Sequence, residues 1–170
     1  MRDAEFERLY ADEAPGLFSF LAYRTGDRAL AQDLLGDTFE RALRSRRRYE
    51  PARGSARAWL YAIALNVLRD HIRRSAAEAR AREREGHVRE AVPDSALETV
   101  GLRDELARAM AALSAEEREA IALRFGGELT LPEIAATLGE KLSTVEGRVY
   151  RALRKLRVEL ERAGGREMRS

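Results

Sequence analysis

The chain contains no cysteine, which excludes disulfides and thiolate metal sites. Four prolines and twelve glycines in 170 residues leave few helix breakers. Aromatic residues are scarce at 6%, and there are only two histidines, His71 and His87. His71 falls on a helix surface and His87 in a linker, so neither has companions for a metal site or for acid–base work. There is no glycine-rich phosphate loop. Enzymatic chemistry is therefore the least supported reading, and no cofactor is expected. No apolar run approaches the roughly 18–20 residues of a membrane span. The opening Met1-Arg2-Asp3-Ala4-Glu5 lacks the basic-then-apolar order of a secretion signal. The expectation is a cytoplasmic protein without membrane insertion.

What is abundant is Ala, Leu, Arg and Glu, all strong helix formers. With 45% hydrophobic residues there is enough apolar material for genuine cores. The net charge is only +2, but it is unevenly spread. Residues 1–40 hold four Arg against nine acids, whereas residues 41–74 hold ten Arg against two acids. Residues 75–120 turn acidic again, and residues 121–170 return to basic. Two basic blocks between acidic stretches fit two contacts with a polyanion, leaving other surfaces for basic or apolar partners.

Periodicity gives three helical stretches before residue 75. Phe6, Leu9 and Tyr10 begin the first; Pro15 is expected to interrupt it before Leu17, Phe18 and Leu21. Asp27 caps a second helix carrying Leu30, Leu34, Leu35, Phe39 and Leu43. The run Arg46-Arg47-Arg48-Tyr49-Glu50-Pro51-Ala52-Arg53-Gly54 reads as a basic loop. Ser55 then caps a helix from Ala56 to about Arg74, with Trp59, Leu60, Ile63, Val67 and Ile72 as core candidates. From residue 76 to 94 the apolar residues thin out, which predicts a flexible linker. The fold class expected is all-α, with two small helical domains at 1–75 and 95–165. Four capping-box signatures punctuate the second half: Ser95…Glu98, Ser114…Glu117, Thr130…Glu133 and Ser143…Glu146.

The sharpest pattern lies between Thr130 and Leu156. Pro132 sits in a first helical turn, where its missing N–H is harmless. Ala135, Gly139 and Val145 follow with the spacing of a helix-turn-helix. That motif needs a small residue at the crossing, a glycine able to take positive φ, and an aliphatic locking the second helix. The second helix, Thr144 to about Leu160, is expected to bury Val145, Val149, Leu153 and Leu156. Its other side presents Arg148, Tyr150, Arg151, Arg154 and Lys155. Arg148 and Arg151 suit guanine edges or phosphates; Arg154, Lys155 and Arg157 suit the backbone.

The segment ALSAEEREAIALRFGGELTLPEIAATLGEKLSTVEGRVYRALRKLR resembles region four of extracytoplasmic-function (ECF) sigma factors. The segments LAQDLLGDTFERALR and ARAWLYAIALNVLRDHIRR resemble region two of the same family. Together the two cover about residues 4–74 and 97–160. The resemblance implies a transcription initiation factor that binds core RNA polymerase and melts promoter DNA. Asp33, Leu34, Asp37, Thr38 and Phe39 would dock on the polymerase. Arg46, Arg47, Arg48, Arg57, Tyr61, Asn66, Arg69, Arg73 and Arg74 would grip the single-stranded −10 element, Tyr61 offering a stacking face. Thr144, Glu146, Gly147, Arg148, Tyr150, Arg151, Arg154 and Lys155 would read the −35 duplex. An inhibitory anti-sigma partner is a further expectation of the resemblance. Glu146 and Gly147 depart from the basic or small hydroxyl residues the family tends to place there, and Leu65 replaces a frequent basic residue. Two other readings compete: a helix-turn-helix regulator acting alone on duplex DNA, and an antagonist or adaptor mimicking part of a sigma factor.

Overall fold

A computed structural model describes residues 1–84 and 109–167, which are helices and turns with no strand among the described residues. The chain divides into two compact units, Met1–Ser95 and Ala96–Ser170.

In the N-terminal unit, α1 spans Asp3–Thr25, α2 Arg28–Ser45 and α3 Ala56–Arg84. Pro15 does not interrupt α1, contrary to the sequence expectation. Ala11, whose carbonyl loses its N–H partner, and Pro15 are both exposed, so water can satisfy that group. Leu9 on one side and Leu17, Phe20 and Leu21 on the other are buried and hold the helix across the proline. Gly26 ends α1 with φ 69°, donating its N–H to Ala22 O. Asp27 caps α2 as read, its Oδ1 accepting from the amides of Ala29 (2.8 Å) and Leu30 (3.0 Å).

Two short 3-10 turns, Arg46–Arg48 and Pro51–Arg53, form the basic connection. Ser55 Oγ then accepts from Ala58 N (3.1 Å) at the start of α3. All three helices pack on one another. The buried face of α3 is Ala58, Leu60, Tyr61, Ala64, Leu65, Val67 and Leu68. Ile72 is exposed, as is Leu43 on α2. Both match helical spacing but face away from the neighbouring helices. α3 also runs ten residues past its expected end near Arg74, through Ala-rich sequence that favours helix without burial.

In the C-terminal unit, α4 spans Ala115–Ile121, α5 Leu131–Leu138 and α6 Leu142–Glu167. The capping boxes at Ser114 and Thr130 form: Ser114 N donates to Glu117 Oε2 (2.9 Å), and Thr130 N to Glu133 Oε2 (2.8 Å). The Ser143…Glu146 box does not. α6 starts at Leu142, and the amides of Thr144 and Val145 bond Lys141 O instead. Ser95…Glu98 lies outside the described residues.

α4 widens into a π-turn at Ala122–Gly126, and the return is pinned by Arg124 Nη1 donating to Leu129 O (3.0 Å). α6 packs on both α4 and α5. Its buried positions are Val145, Val149, Ala152 and Leu156, with Leu153 exposed.

Candidate nucleic-acid interface

The outer side of α2 mixes charges, with Arg28, Asp33, Asp37, Glu40, Arg41 and Arg44 all exposed. Asp33 and Asp37 are exposed, but Leu34, Thr38 and Phe39 are buried among the helices. Thr38 Oγ1 donates to Leu34 O (2.6 Å), and Phe39 is covered by the rings of Tyr10 (4.6 Å) and Phe6 (6.4 Å, edge-on). Of the five residues expected to dock on a protein partner, only the two aspartates reach solvent. The other three lie on the stripe that α2 turns inward, which corrects the expectation for them.

The basic connection is partly neutralised from within. Arg46 pairs with Asp3 (2.9 Å) and donates to Leu43 O, while its own carbonyl accepts from the Met1 ammonium (3.2 Å). Arg47 and Arg48 are exposed. Arg57 reaches Glu13 (3.0 Å) and lies 6.0 Å from the Tyr61 ring centroid.

Tyr61 itself is 0% exposed, tilted against Phe20 at 5.6 Å, so it presents no stacking face. Beside the basic connection, the aromatic surface that remains partly accessible is the half-buried pair Tyr49–Trp59, with centroids 5.4 Å apart. Tyr49 Oη donates to Gly54 O (3.1 Å), which folds the loop around the ring. The place of Tyr49 in a basic loop beside Pro51 and Gly54 is the sequence signal for this arrangement. Along α3, Asn66, Arg69, Arg73 and Arg74 are exposed. Arg73 pairs with Asp70, which also accepts from Arg41 (2.9 Å). Arg41 first and Arg73 second hold the Asp70 carboxyl below the ordinary aspartate range.

The second unit carries the helix-turn-helix. Gly139 has φ 68° and ψ 31°; its amide bonds Ala136 O (3.4 Å) and the next amide, of Glu140, bonds Ala135 O (2.9 Å). This paired bonding is the glycine-terminated helix end that lets α5 stop and the chain reverse. Ala135 and Val145 are buried at the crossing, as the spacing requires.

On α6, Thr144, Glu146, Tyr150, Arg151 and Arg154 are exposed, and Gly147 is half-buried. A Cβ at Gly147 would lie 3.2 Å from Arg151 Nη1, so the Arg151 guanidinium lies over the glycine. Two expected readers are differently placed. The Arg148 side chain is 14% exposed and pairs with Glu140 (2.8 Å). Lys155 Nζ donates to Glu117 Oε2 (2.8 Å). That bond, followed by the Ser114 amide, holds the Glu117 carboxyl below the usual glutamate range.

Residues 9–78 match the family described as Sigma-70 region 2, and residues 103–156 match Sigma-70, region 4. The ECF RNA polymerase sigma factor SigL of Mycobacterium tuberculosis is 32% identical over 162 residues, covering 92% of this chain and 89% of SigL. The chain belongs to the ECF RNA polymerase sigma factors. It is a transcription initiation factor of that family. Another relative, ECF sigma factor BldN of Streptomyces coelicolor, is 31% identical over 155 residues. The alignment takes in 89% of this sigma factor but 58% of BldN, so the chain spans little more than half that relative's length. Among solved structures, the sigma factor RpoE in complex with the anti-sigma factor NepR from Bartonella quintana superposes with a TM-score of 0.71 at 26% identity. That match covers 92% of this sigma factor and 97% of RpoE. Among the described residues, no helix is long and apolar enough to cross a membrane, and no group of three or more ligating side chains could hold a metal.

Proposed function

We propose that this sigma factor works in the cytoplasm without catalytic chemistry of its own, recruiting core RNA polymerase and dividing promoter recognition between its two units. Asp33 and Asp37 on the outer side of α2 dock on a basic surface of the polymerase. The basic connection 46–54, with the Tyr49–Trp59 pair, and the exposed side of α3 with Asn66, Arg69, Arg73 and Arg74 hold the melted −10 strand. Aromatic faces stack unpaired bases while cations track the backbone, so single-strand binding draws the duplex open. The exposed side of α6 enters the −35 major groove, with Arg151 and Tyr150 toward base edges and Arg154 toward phosphate. An anti-sigma protein, the kind of partner that RpoE was solved with, is the proposed regulator.

The observation that carries the −35 assignment is the turn at Gly139, which sets α6 across α5 with Val145 buried and Arg151 and Arg154 outward. The test is run-off transcription of fragmented genomic DNA from the source organism, using its sigma-free core polymerase with and without this protein. Discrete protein-dependent transcripts are expected. Duplex binding in the absence of core would favour a conventional regulator, and an inactive complex with core would favour an antagonist.

A further inference from the structure

α6 presents the cations Arg148, Arg151, Arg154, Lys155 and Arg157, and they are not equivalent. Arg148 Nη2 lies 3.0 Å from Glu140 Oε1 and 2.8 Å from Oε2. Glu140 Oε2 is shut off from solvent, so this guanidinium is the charge that compensates it. Lys155 Nζ meets Glu117 Oε2, the same oxygen that accepts the Ser114 amide at the start of α4. Seven residues separate Arg148 from Lys155, about two turns or roughly 10 Å along one flank of the helix. Their carboxylates come from two different elements, the turn after Gly139 and the first turn of α4. Arg148 is largely covered, whereas Lys155 is half-exposed and held by its ion pair, and Arg151 and Arg154 are exposed. The Arg157–Glu161 pair is a solvent-exposed neighbour pair that a phosphate can readily displace.

We propose that Glu140–Arg148 and Glu117–Lys155 are two struts fixing the roll and angle of the recognition helix, and that Arg148 and Lys155 are positioning residues rather than DNA contacts. The proposal rests on the reading of α6 as the −35 reader. The apolar seam of Val145, Val149, Ala152 and Leu156 supplies attraction but little directional restraint, because aliphatic contact is non-directional. Its partner α5 is only eight residues long. Ion pairs at two separated points, to two separate elements, remove the remaining rotational freedom. Releasing either cation uncovers a carboxylate, at a greater cost for the largely covered Arg148 than for the half-exposed Lys155. Arg148 would strand a shielded carboxylate oxygen, and Lys155 would strip a nearly buried glutamate of its counter-charge.

The opposite arrangement is a latch, in which Glu140 stores Arg148 until DNA takes it. The two arrangements differ in sign. The test uses holoenzyme reconstituted from core polymerase and the full chain, on a promoter fragment recovered by genomic run-off, with its −35 element intact or scrambled. Affinity is measured across a salt series. Wild type should prefer the intact element; indifference to scrambling would overturn the −35 reading and this proposal with it.

Arg154→Gln should reduce the salt slope by about one phosphate contact. Arg148→Gln and Lys155→Gln should leave the slope nearly unchanged. They should lower the intact-to-scrambled affinity ratio by about tenfold, the scale of one mismatched base pair. Glu140→Gln removes a negative charge, so it raises non-specific binding on either arrangement, and the ratio decides. A lowered ratio supports the strut; a raised ratio with a steeper slope overturns it. The charge-swapped pair Glu140→Arg with Arg148→Glu should recover part of the ratio lost in Glu140→Arg or Arg148→Glu alone. Thermal unfolding of each variant, expected to show a folded C-terminal unit at the assay temperature, separates this from a simple folding defect. No recovery, or a slope loss in Arg148→Gln equal to that in Arg154→Gln, also overturns the proposal.

Discussion

Gly139 and Gly147 stand eight residues apart, and the same substitution should act on them with opposite sign. At Gly139 the backbone is left-handed, φ 68°, and a Cβ would meet nothing within 4 Å. The penalty for alanine there is conformational rather than steric, about 1–2 kcal/mol for an L-residue forced into that region. Gly147 lies inside α6, where glycine is about 1 kcal/mol poorer than alanine. The Cβ would come 3.2 Å from Arg151 Nη1, the end of a flexible side chain that can move aside. Gly139→Ala should therefore lower the stability of the C-terminal unit by about 1–2 kcal/mol, and Gly147→Ala should raise it by up to about 1 kcal/mol. In a domain of this size each kcal/mol moves Tm by about 4–8 °C. The assay is thermal unfolding by circular dichroism, with the single tryptophan, Trp59, as a fluorescent reporter confined to the other unit. Gly139→Asn should recover most of the loss, since asparagine tolerates the left-handed region. If Gly139→Ala and Gly139→Asn melted alike, or if both alanine variants moved Tm in the same direction, the argument from backbone conformation would be wrong.

Charge reversal at Asp33 and Asp37 should weaken core-polymerase binding by about tenfold or more, because mismatched charge at a docking surface is repulsive. Thermal unfolding should stay within about 0.5 kcal/mol of wild type, as both side chains are exposed; a large drop in Tm would contradict their placement. Tyr61→Ala should cost about 3–5 kcal/mol as a core truncation. Tyr49→Ala should instead weaken open-complex formation by about 1–3 kcal/mol through lost base stacking. Permanganate footprinting alongside urea melts separates the two, and equal effects on melting would refute the assignment. Glu117 titrates below the ordinary glutamate range because of Lys155 and the Ser114 amide, so the unfolded state takes up its proton first. Its contribution is complete above the unfolded value of about 4.3 and is lost as pH falls through the lowered folded value. Glu117→Gln should thus be less stable than wild type at pH 7 and converge with it as the pH drops below about 4. A difference that persisted unchanged into acid would count against the ion pair.

Much of this protein is decided within a few residues of chain, and that part was legible. The caps at Asp27, Ser55, Ser114 and Thr130 each satisfy amides two or three positions on. The reversal at Gly139 depends on the conformational freedom of one residue. Helix content, the absence of thiol chemistry and the alternation of charged blocks need no partner element to be read. A local pattern can also mislead. Ser143…Glu146 has the right letters for a capping box, yet α6 begins before it.

The choice of helix face was not local. Leu43, Ile72 and Leu153 fit helical spacing as well as Leu35, Tyr61 and Ala152 do, and only the neighbouring helices select which set is buried. Pro15 argued for a break, and packing on both sides of it overrode that preference. Most of all, the tertiary structure decided which cations remain for a nucleic acid. Arg46, Arg148 and Lys155 meet carboxylates 43, 8 and 38 residues away, distances over which sequence spacing says nothing. Local residue pattern alone was enough to specify a helical chain with a glycine turn ahead of a basic helix. Folding determined which of its basic residues meet a carboxylate, because an ion pair depends on proximity in space and not on order along the chain.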